Sequence, residues 1–451
     1  MMEKSSIRKL AEFIHDLTWE QIPLNVQEAA ALRVLDLVSV AAGASSDPLV
    51  HQVAASGIFQ EEGGRSSVWG WKETYSLPGA VMLNAMLAHT LELDDVHPAS
   101  KTHGSASLIP AAWSCAEYLG STGKEFLTAV VCGYETVNRI GMAFGVSSHR
   151  NRGWHATATC GVFGCAAACG KLLNLDVDQI VSALGMAGTQ SSGVWAFLGD
   201  RCNCKILHTG RAAVNGLEAA FLARAGMTGP EHILEAEDGG LLRAMSDGGD
   251  GDKVSEGLGT VWEILNMDRK PYPCCRSTHC AVDCALGLRD KVDLEHVVKI
   301  RIQTYLVGYK QCGLSQISQK PRTPVHARFS TPYTVACAIL YGEVTLRQFR
   351  PEMICDPAVQ SLLKRVTVEA ADEFTRIYPA HWGCRVRIHD IYEKVYETCV
   401  KDASGSVARP LGQEQVKAKA AALMKEVCGS QAVRIAETVL DIENLDILPQ
   451  L

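Results

Sequence analysis

Apolar residues recur at three- and four-residue spacing through KSSIRKLAEFIHDL and NVQEAAALRVLDLVSVAAGA, near the start of the chain. The same period returns in SLPGAVMLNAMLAHTLEL, where Ser76 is placed to cap a helix with Pro78 in its first turn, and in IPAAWSCAEYLG, GKEFLTAVVCGYETVNRIGMAFG, TCGVFGCAAACGKLLN, VDQIVSALGMAG and GRAAVNGLEAAFLARAG. This spacing predicts amphipathic or buried helices over roughly the first 260 residues. Their Gly and Ala content lets helices approach closely in a large all-α body. The pattern then changes. VVKIRIQTYLVGY, RVTVEAADEF and CRVRIHDIYEKVYETCV alternate branched with polar residues and predict strands, while YTVACAILYG and DPAVQSLLKRV between them read as helices. The tail, LGQEQVKAKAAALMKEVCG and QAVRIAETVLDI, is helical again and is expected to pack back on the large body. The predicted fold is therefore mostly α. A large all-helical domain is formed by both chain ends, residues 1–264 and 406–451, with a smaller α+β domain over 265–405.

Length agrees with two domains, since 451 residues exceed what one hydrophobic core usually holds. No apolar run of some twenty residues passes without a charge or a breaker, which argues against a membrane span. The N-terminal segment mixes charges with a helical period and does not read as a secretory signal, so a cytoplasmic protein is expected. A net charge of −7 without a Lys/Arg-rich run argues against nucleic acid as partner, though a few local cations can still hold a small anion. The seventeen cysteines scatter through helical text and read mostly as small core residues in a reducing compartment.

Candidate chemistry gathers in four stretches. LELDDVHPASKTHG crowds Asp94, Asp95, His97, Lys101 and His103 around Pro98 after an apolar helix. Two acids at the negative end of a helix call for a cationic partner, a tuned pKa or a plain loop. RNRGWHATATCGVFG sets His155 just ahead of a small-residue helix, where backbone donors suit a carboxylate. CKILHTGRAAVNG offers Lys205, His208 and Arg211, with the lysine between apolar neighbours. RKPYPCCRSTHCAVD packs Arg269, Lys270, Tyr272, Arg276 and His279 around two prolines. No GxGxxG follows a strand, no phosphate loop is complete, no CxxC occurs and no GxSxG elbow is present. Asp94, His97 and His103 have no recognised metal-ligand spacing, so neither metal nor cofactor is expected. Cations, histidines and a carboxylate pair without nucleotide motifs suit proton abstraction beside a carboxylate, where Lys and His stabilise an enediolate.

LELDDVHPASKTHGSASLIPAAWSCAEYLG, GWHATATCGVFGCAAACGKLL, CKILHTGRAAVNGLEAAFLARAG, KPYPCCRSTHCAVDCAL and HARFSTPYTVACAIL resemble, in order, the signatures of the MmgE/PrpD family. Members include 2-methylcitrate dehydratase, cis-aconitate decarboxylase and iminodisuccinate epimerase. The resemblance implies a homodimer, with the α+β part as a lid over the pocket, and catalysis without metal or cofactor. It implies that His103 and His155 are acid/base groups, that Lys205 holds a substrate carboxylate, and that Asp94 orients its neighbours, although Glu92 occupies a spot where some members place an Asp. Tyr309, preferred over Tyr305, is the expected lid tyrosine, and Lys101, His97, Lys270, Cys275, Arg276 and His279 are expected to contact substrate. Val96 stands where a Thr is common, and Cys275 or Arg276 where some relatives carry a histidine. The expected activity is a cofactor-independent lyase, dehydratase or decarboxylase, on a small di- or tricarboxylate. The alternatives are an epimerase of an iminodisuccinate-like dicarboxylate and a non-catalytic carboxylate binder.

Overall fold

The computed structural model describes residues 4–59, 64–199 and 202–451, and the chain is mostly α, with strands concentrated in one segment. It divides into two compact units, one of residues 1–90, 94–267 and 412–451, the other of 91–93 and 268–411.

The first unit is helical apart from the two-residue strands Ser66–Ser67 and Thr74–Tyr75. Its innermost helix, Ala156–Leu172, is buried along nearly its whole length and packs against Gly123–Ala143, Ser105–Leu119, Val177–Thr189 and Lys205–Arg224. Small residues make these contacts possible. A Cβ on Gly164 would stand 2.9 Å from the Gly133 carbonyl oxygen, and one on Gly216 would stand 2.4 Å from Cys165 Cβ and 2.6 Å from the Val162 carbonyl oxygen. Ser76 caps Leu77–Thr90, its Oγ accepting from the Gly79 amide at 3.2 Å. In the C-terminal tail, Gln413–Cys428 packs on Leu24–Gly43, and Lys419 reaches the buried Asp36 at 2.8 Å. Twelve of the seventeen cysteines are buried, as expected for small core residues. No single helix among the described residues is long and apolar enough to cross a membrane.

The second unit is built on a four-stranded sheet in the order Val366–Ala370, Val297–Thr304, Cys384–Asp390, Val395–Val400. The first pair is parallel, with Ile300 opposite Val366, and the other two pairs are antiparallel, with Ile302 opposite Val386. A parallel pair needs a long crossover, and this one carries the Thr331–Tyr341 helix. Alternation buries Ile300 and Ile302 in a core with Cys280, Cys284, Leu288, Val335 and Ile339. The strand predicted through VVKIRIQTYLVGY stops at Thr304, and Leu306–Cys312 is a helix. Burial of Tyr305, Gly308 and Cys312 follows the three-to-four spacing of a helix, which overrides the alternation from that point.

Gly216→Ala is expected to destabilise the protein by about 1–3 kcal/mol, because the methyl meets backbone and Cβ atoms that cannot step aside. Thermal denaturation checks this. An unchanged midpoint would mean that the helices can spread at no cost.

Candidate active site

The Leu77–Thr90 helix ends one residue before the LELDD turn, and the two aspartates there take different environments. Asp95 is buried and accepts from Ser105 Oγ at 2.6 Å and Tyr134 Oη at 2.7 Å. Burial pushes its carboxyl up, while Arg33 and the two hydroxyls pull the other way. It anchors the loop. Asp94, equally buried, turns its Oδ2 to two imidazoles, 2.7 Å from His89 Nδ1 and 3.2 Å from His103 Nδ1. His89 lies in the last turn of its helix, where a cationic or N–H group complements the dipole.

Three helices begin around this pair. His103 stands two residues ahead of Ser105–Leu119, and its amide donates to Thr157 Oγ1 at 3.1 Å, in the first turn of Ala156–Leu172. His155 is the N-cap of that helix, and Lys205, only 8% exposed, is the first residue of Lys205–Arg224. None of the three first turns carries an acid. The rings close the cluster, with centroids 5.3 Å apart for His89 and His103, 6.3 Å for His89 and His155, and 5.2 Å for His155 and His208. His155 is also walled by Trp195 at 5.0 Å and Phe197 at 5.8 Å. Burial, then Lys205 and the other histidines, hold its pKa well below the usual value, and burial, His89 and Lys205 bring His208 down to about 4. A small cleft beside His155 is lined by Lys101, Arg150, Trp154 and Trp195, with the Arg150 guanidinium 4.4 Å above the Trp195 ring. Lys101 is half-buried in the left-handed region at φ 57°.

His97 points elsewhere. Its Nδ1 lies 2.8 Å from Ser100 Oγ and its Nε2 3.1 Å from Glu263 Oε2, so both ring nitrogens serve the loop. Among the described residues, one group has the donor atoms for a metal ion, namely His89, Asp94 and His103, with ligand atoms within 4.8 Å of one another. It is not the Asp94, His97, His103 set weighed from the sequence. The aspartate Oδ2 faces both Nδ1 atoms, within hydrogen-bond distance of His89 and 3.2 Å from His103.

The remaining expected residues lie in the second unit. Lys270 is fully buried, its Nζ donating to the Glu92 carbonyl oxygen at 3.0 Å and standing 3.6 Å from Glu92 Oε2. Cys275 is buried, and the neighbouring Cys312 thiol draws its pKa below the usual thiol range. Arg276 donates from Nε to Asp268 Oδ2 at 2.8 Å, and His279 is buried with Nε2 3.2 Å from the Cys274 carbonyl oxygen. Tyr309 is half-buried on Leu306–Cys312, whereas Tyr305 is buried, donates to Ser277 Oγ at 2.8 Å and stacks on Tyr378. His89 was absent from the expected set, because a lone histidine in an apolar helix reads as core. Its spacing of five residues before Asp94, across a helix end, was the available signal.

His149, whose burial lowers its pKa to about 4, and His208, at about 4, are expected to remain neutral at pH 6, where an ordinary histidine is mostly charged. Histidine-resolved ¹⁵N NMR across pH 4–8 checks this. Titration of both near 6.5 would contradict the desolvation described above.

Two family descriptions match the chain, the MmgE/PrpD N-terminal domain over residues 8–252 and the MmgE/PrpD C-terminal domain over 272–444. A cis-aconitate decarboxylase-like protein of Aspergillus oryzae is 28% identical over 96% of this chain and 94% of its own length. The cis-aconitate decarboxylase of Aspergillus terreus is 27% identical over 98% and 94%, and that of Mus musculus 25% identical over 100% and 94%. With both halves matched in order, the chain belongs to the MmgE/PrpD family.

Proposed function

We propose that this protein is a cofactor-independent lyase that decarboxylates a small tricarboxylate of the cis-aconitate kind. The observation that carries the reading is the meeting of three acid-free helix N-termini, which bring His103, His155 and Lys205 to one buried cluster. Each helix end favours an anion by about 0.3–1 kcal/mol, so three together rival one charge-assisted hydrogen bond before Lys205 is counted. A carboxylate is the ligand such a site prefers. The curated relatives named above are cis-aconitate decarboxylases, which supports decarboxylation over dehydration.

In this reading Lys205 and the helix ends hold the substrate carboxylates. Breaking the C–C bond releases CO2 and leaves a carbanion whose charge spreads into a neighbouring carboxylate, where positive potential lowers the barrier. A histidine N–H then delivers the proton to carbon. Asp94 orients His103 and favours the form with hydrogen on Nδ1, which leaves Nε2 as a base, whereas neutral His155 is the proton donor.

Proton NMR of the EDTA-treated protein in D₂O with cis-aconitate, citrate, 2-methylcitrate and the iminodisuccinate stereoisomers tests the reading. A decarboxylated alkene from cis-aconitate is the expected outcome. Deuterium entering an α-carbon with only stereochemistry changing would replace it with the epimerase, and loss of activity on chelation with rescue by one metal would assign the His89, Asp94, His103 group to an ion. His103→Ala is expected to cost on the order of 10²-fold in kcat, and Lys205→Ala about tenfold or more in kcat/KM through a lost charge-assisted bond. Variants within about threefold of the parent would remove both assignments.

A further inference from the structure

His155 and His208 meet through like atoms, Nδ1 to Nδ1, at 2.9 Å. Two neutral imidazoles share such a contact in only one manner, with one Nδ1 carrying the hydrogen and the other accepting it. Each tautomer of His155 therefore requires the opposite tautomer of His208. When His208 donates, His155 holds its proton on Nε2 and is an acid. When His155 donates, its Nε2 is bare and is a base. His103 has the Asp94 carboxylate, 3.2 Å from its Nδ1, in place of a second ring, and a carboxylate only accepts.

We propose that His208 is the positioning residue of His155, setting which ring nitrogen carries the proton and, by exchanging its own tautomer, letting His155 change between acid and base. The proposal rests on the carboxylate-lyase reading and deepens it. The surroundings fit the role. His155 is buried, whereas His208 is half-buried, and proton exchange with water is open to the second ring. Phe197 lies 5.8 Å from the His155 ring and 5.6 Å from the His208 ring, which keeps the pair together. Lys205, His89 and His103 are the basic groups that act on His155, and they disfavour a cationic pair.

The proton count closes. After CO2 has left, the carbanion takes the Nε2 proton of His155, the His208 Nδ1 proton crosses to His155 Nδ1, and His208 Nε2 takes a proton from water or a buffer acid. A C–H bond forms, the acid's conjugate base remains in solution, and both rings stay neutral with tautomers exchanged. Water entering the emptied site restores the starting tautomers by the reverse exchange.

The test compares His208→Asn, His208→Phe and His208→Asp by steady-state kinetics with cis-aconitate and by histidine ¹⁵N NMR of the resting protein. The asparagine amide stands where Nδ1 stood and can hold the starting tautomer of His155 by a hydrogen bond but cannot pass on a proton, so kcat is expected to fall by about tenfold, less than with phenylalanine. Phenylalanine fills the space but forms no bond, and is expected to lose about 10²-fold in kcat with KM nearly unchanged. Aspartate is expected to lose about as much, because it holds His155 permanently as an Nδ1–H donor. A space-filling role reverses the order, with Phe better than Asn, and that result would overturn the proposal. In the NMR, opposite tautomers for the two rings in the parent, and an Nδ1–H form of His155 in His208→Asp, are expected. Equal tautomers would overturn it. These spectra need no turnover, so a protein inactive on every carboxylate would sink the lyase reading while the spectra still decide the histidine pair.

Discussion

Peptide dipoles add at a helix end only when several ends reach one place, and helices reach one place only when their backbones can approach. In the first unit that condition is met by glycine seams. The carbonyl of Gly133 faces Gly164, and Gly216 lies over Val162 and Cys165 with no room for a methyl group. The Gly216 contact brings Lys205–Arg224 onto Ala156–Leu172, and Gly161, where a Cβ would stand 2.7 Å from Ser107 Oγ, does the same for Ser105–Leu119, so the starts of the three helices come toward one another. The cluster of His103, His155 and Lys205 is a consequence of packing, and the proposed preference for an anion rests on geometry before any side-chain charge is counted.

Excess positive potential in a buried place is costly, and the unit balances it in two ways. Asp94 places one oxygen against two imidazoles, so that a single carboxylate serves His89 and His103 together. His155, buried beside Lys205 and three other histidines, stays uncharged instead. In the proposed reaction the two solutions divide the chemistry between the histidines. One is held beside an acceptor that never changes, and the other beside a ring that can both give and take.

Much of this was legible in the chain. Helical spacing located the helices, polar residues set against Gly/Ala-rich text marked the stretches that hold His103, His155 and Lys205, and the family resemblance picked out those three. The division of labour between Asp94 and Asp95 was legible only through the resemblance, which favoured Asp94, since neighbouring acids look alike until Ser105 and Tyr134, ten and thirty-nine residues away, claim Asp95. His97 sits in the same motif as His103 and chemically matches it, but its ring is spent on Ser100 and Glu263, the latter from 166 residues away. Lys270 and Arg276 read as cations waiting for an anion. In the fold they lie against Glu92 and Asp268, which adjacency in sequence does not announce for Glu92 at all. What sequence lacks in each case is the identity of the distant partner that a polar atom meets.

The chain enters the second unit twice, once for the long segment 268–411 and once for only Leu91–Leu93. That tripeptide carries Glu92, with its backbone in the left-handed region at φ 54°, and supplies both a carbonyl and a carboxylate oxygen to Lys270. The smaller unit is thus not a separable module in the genetic sense. A gene fragment beginning at Asp268 would encode its sheet and helices but leave behind two of the contacts of its most deeply buried lysine. Recombination between relatives at the boundary near residue 268 would likewise join a Lys270 from one lineage to a Glu92 from another, so these two positions are expected to travel together through evolution even though 178 residues separate them.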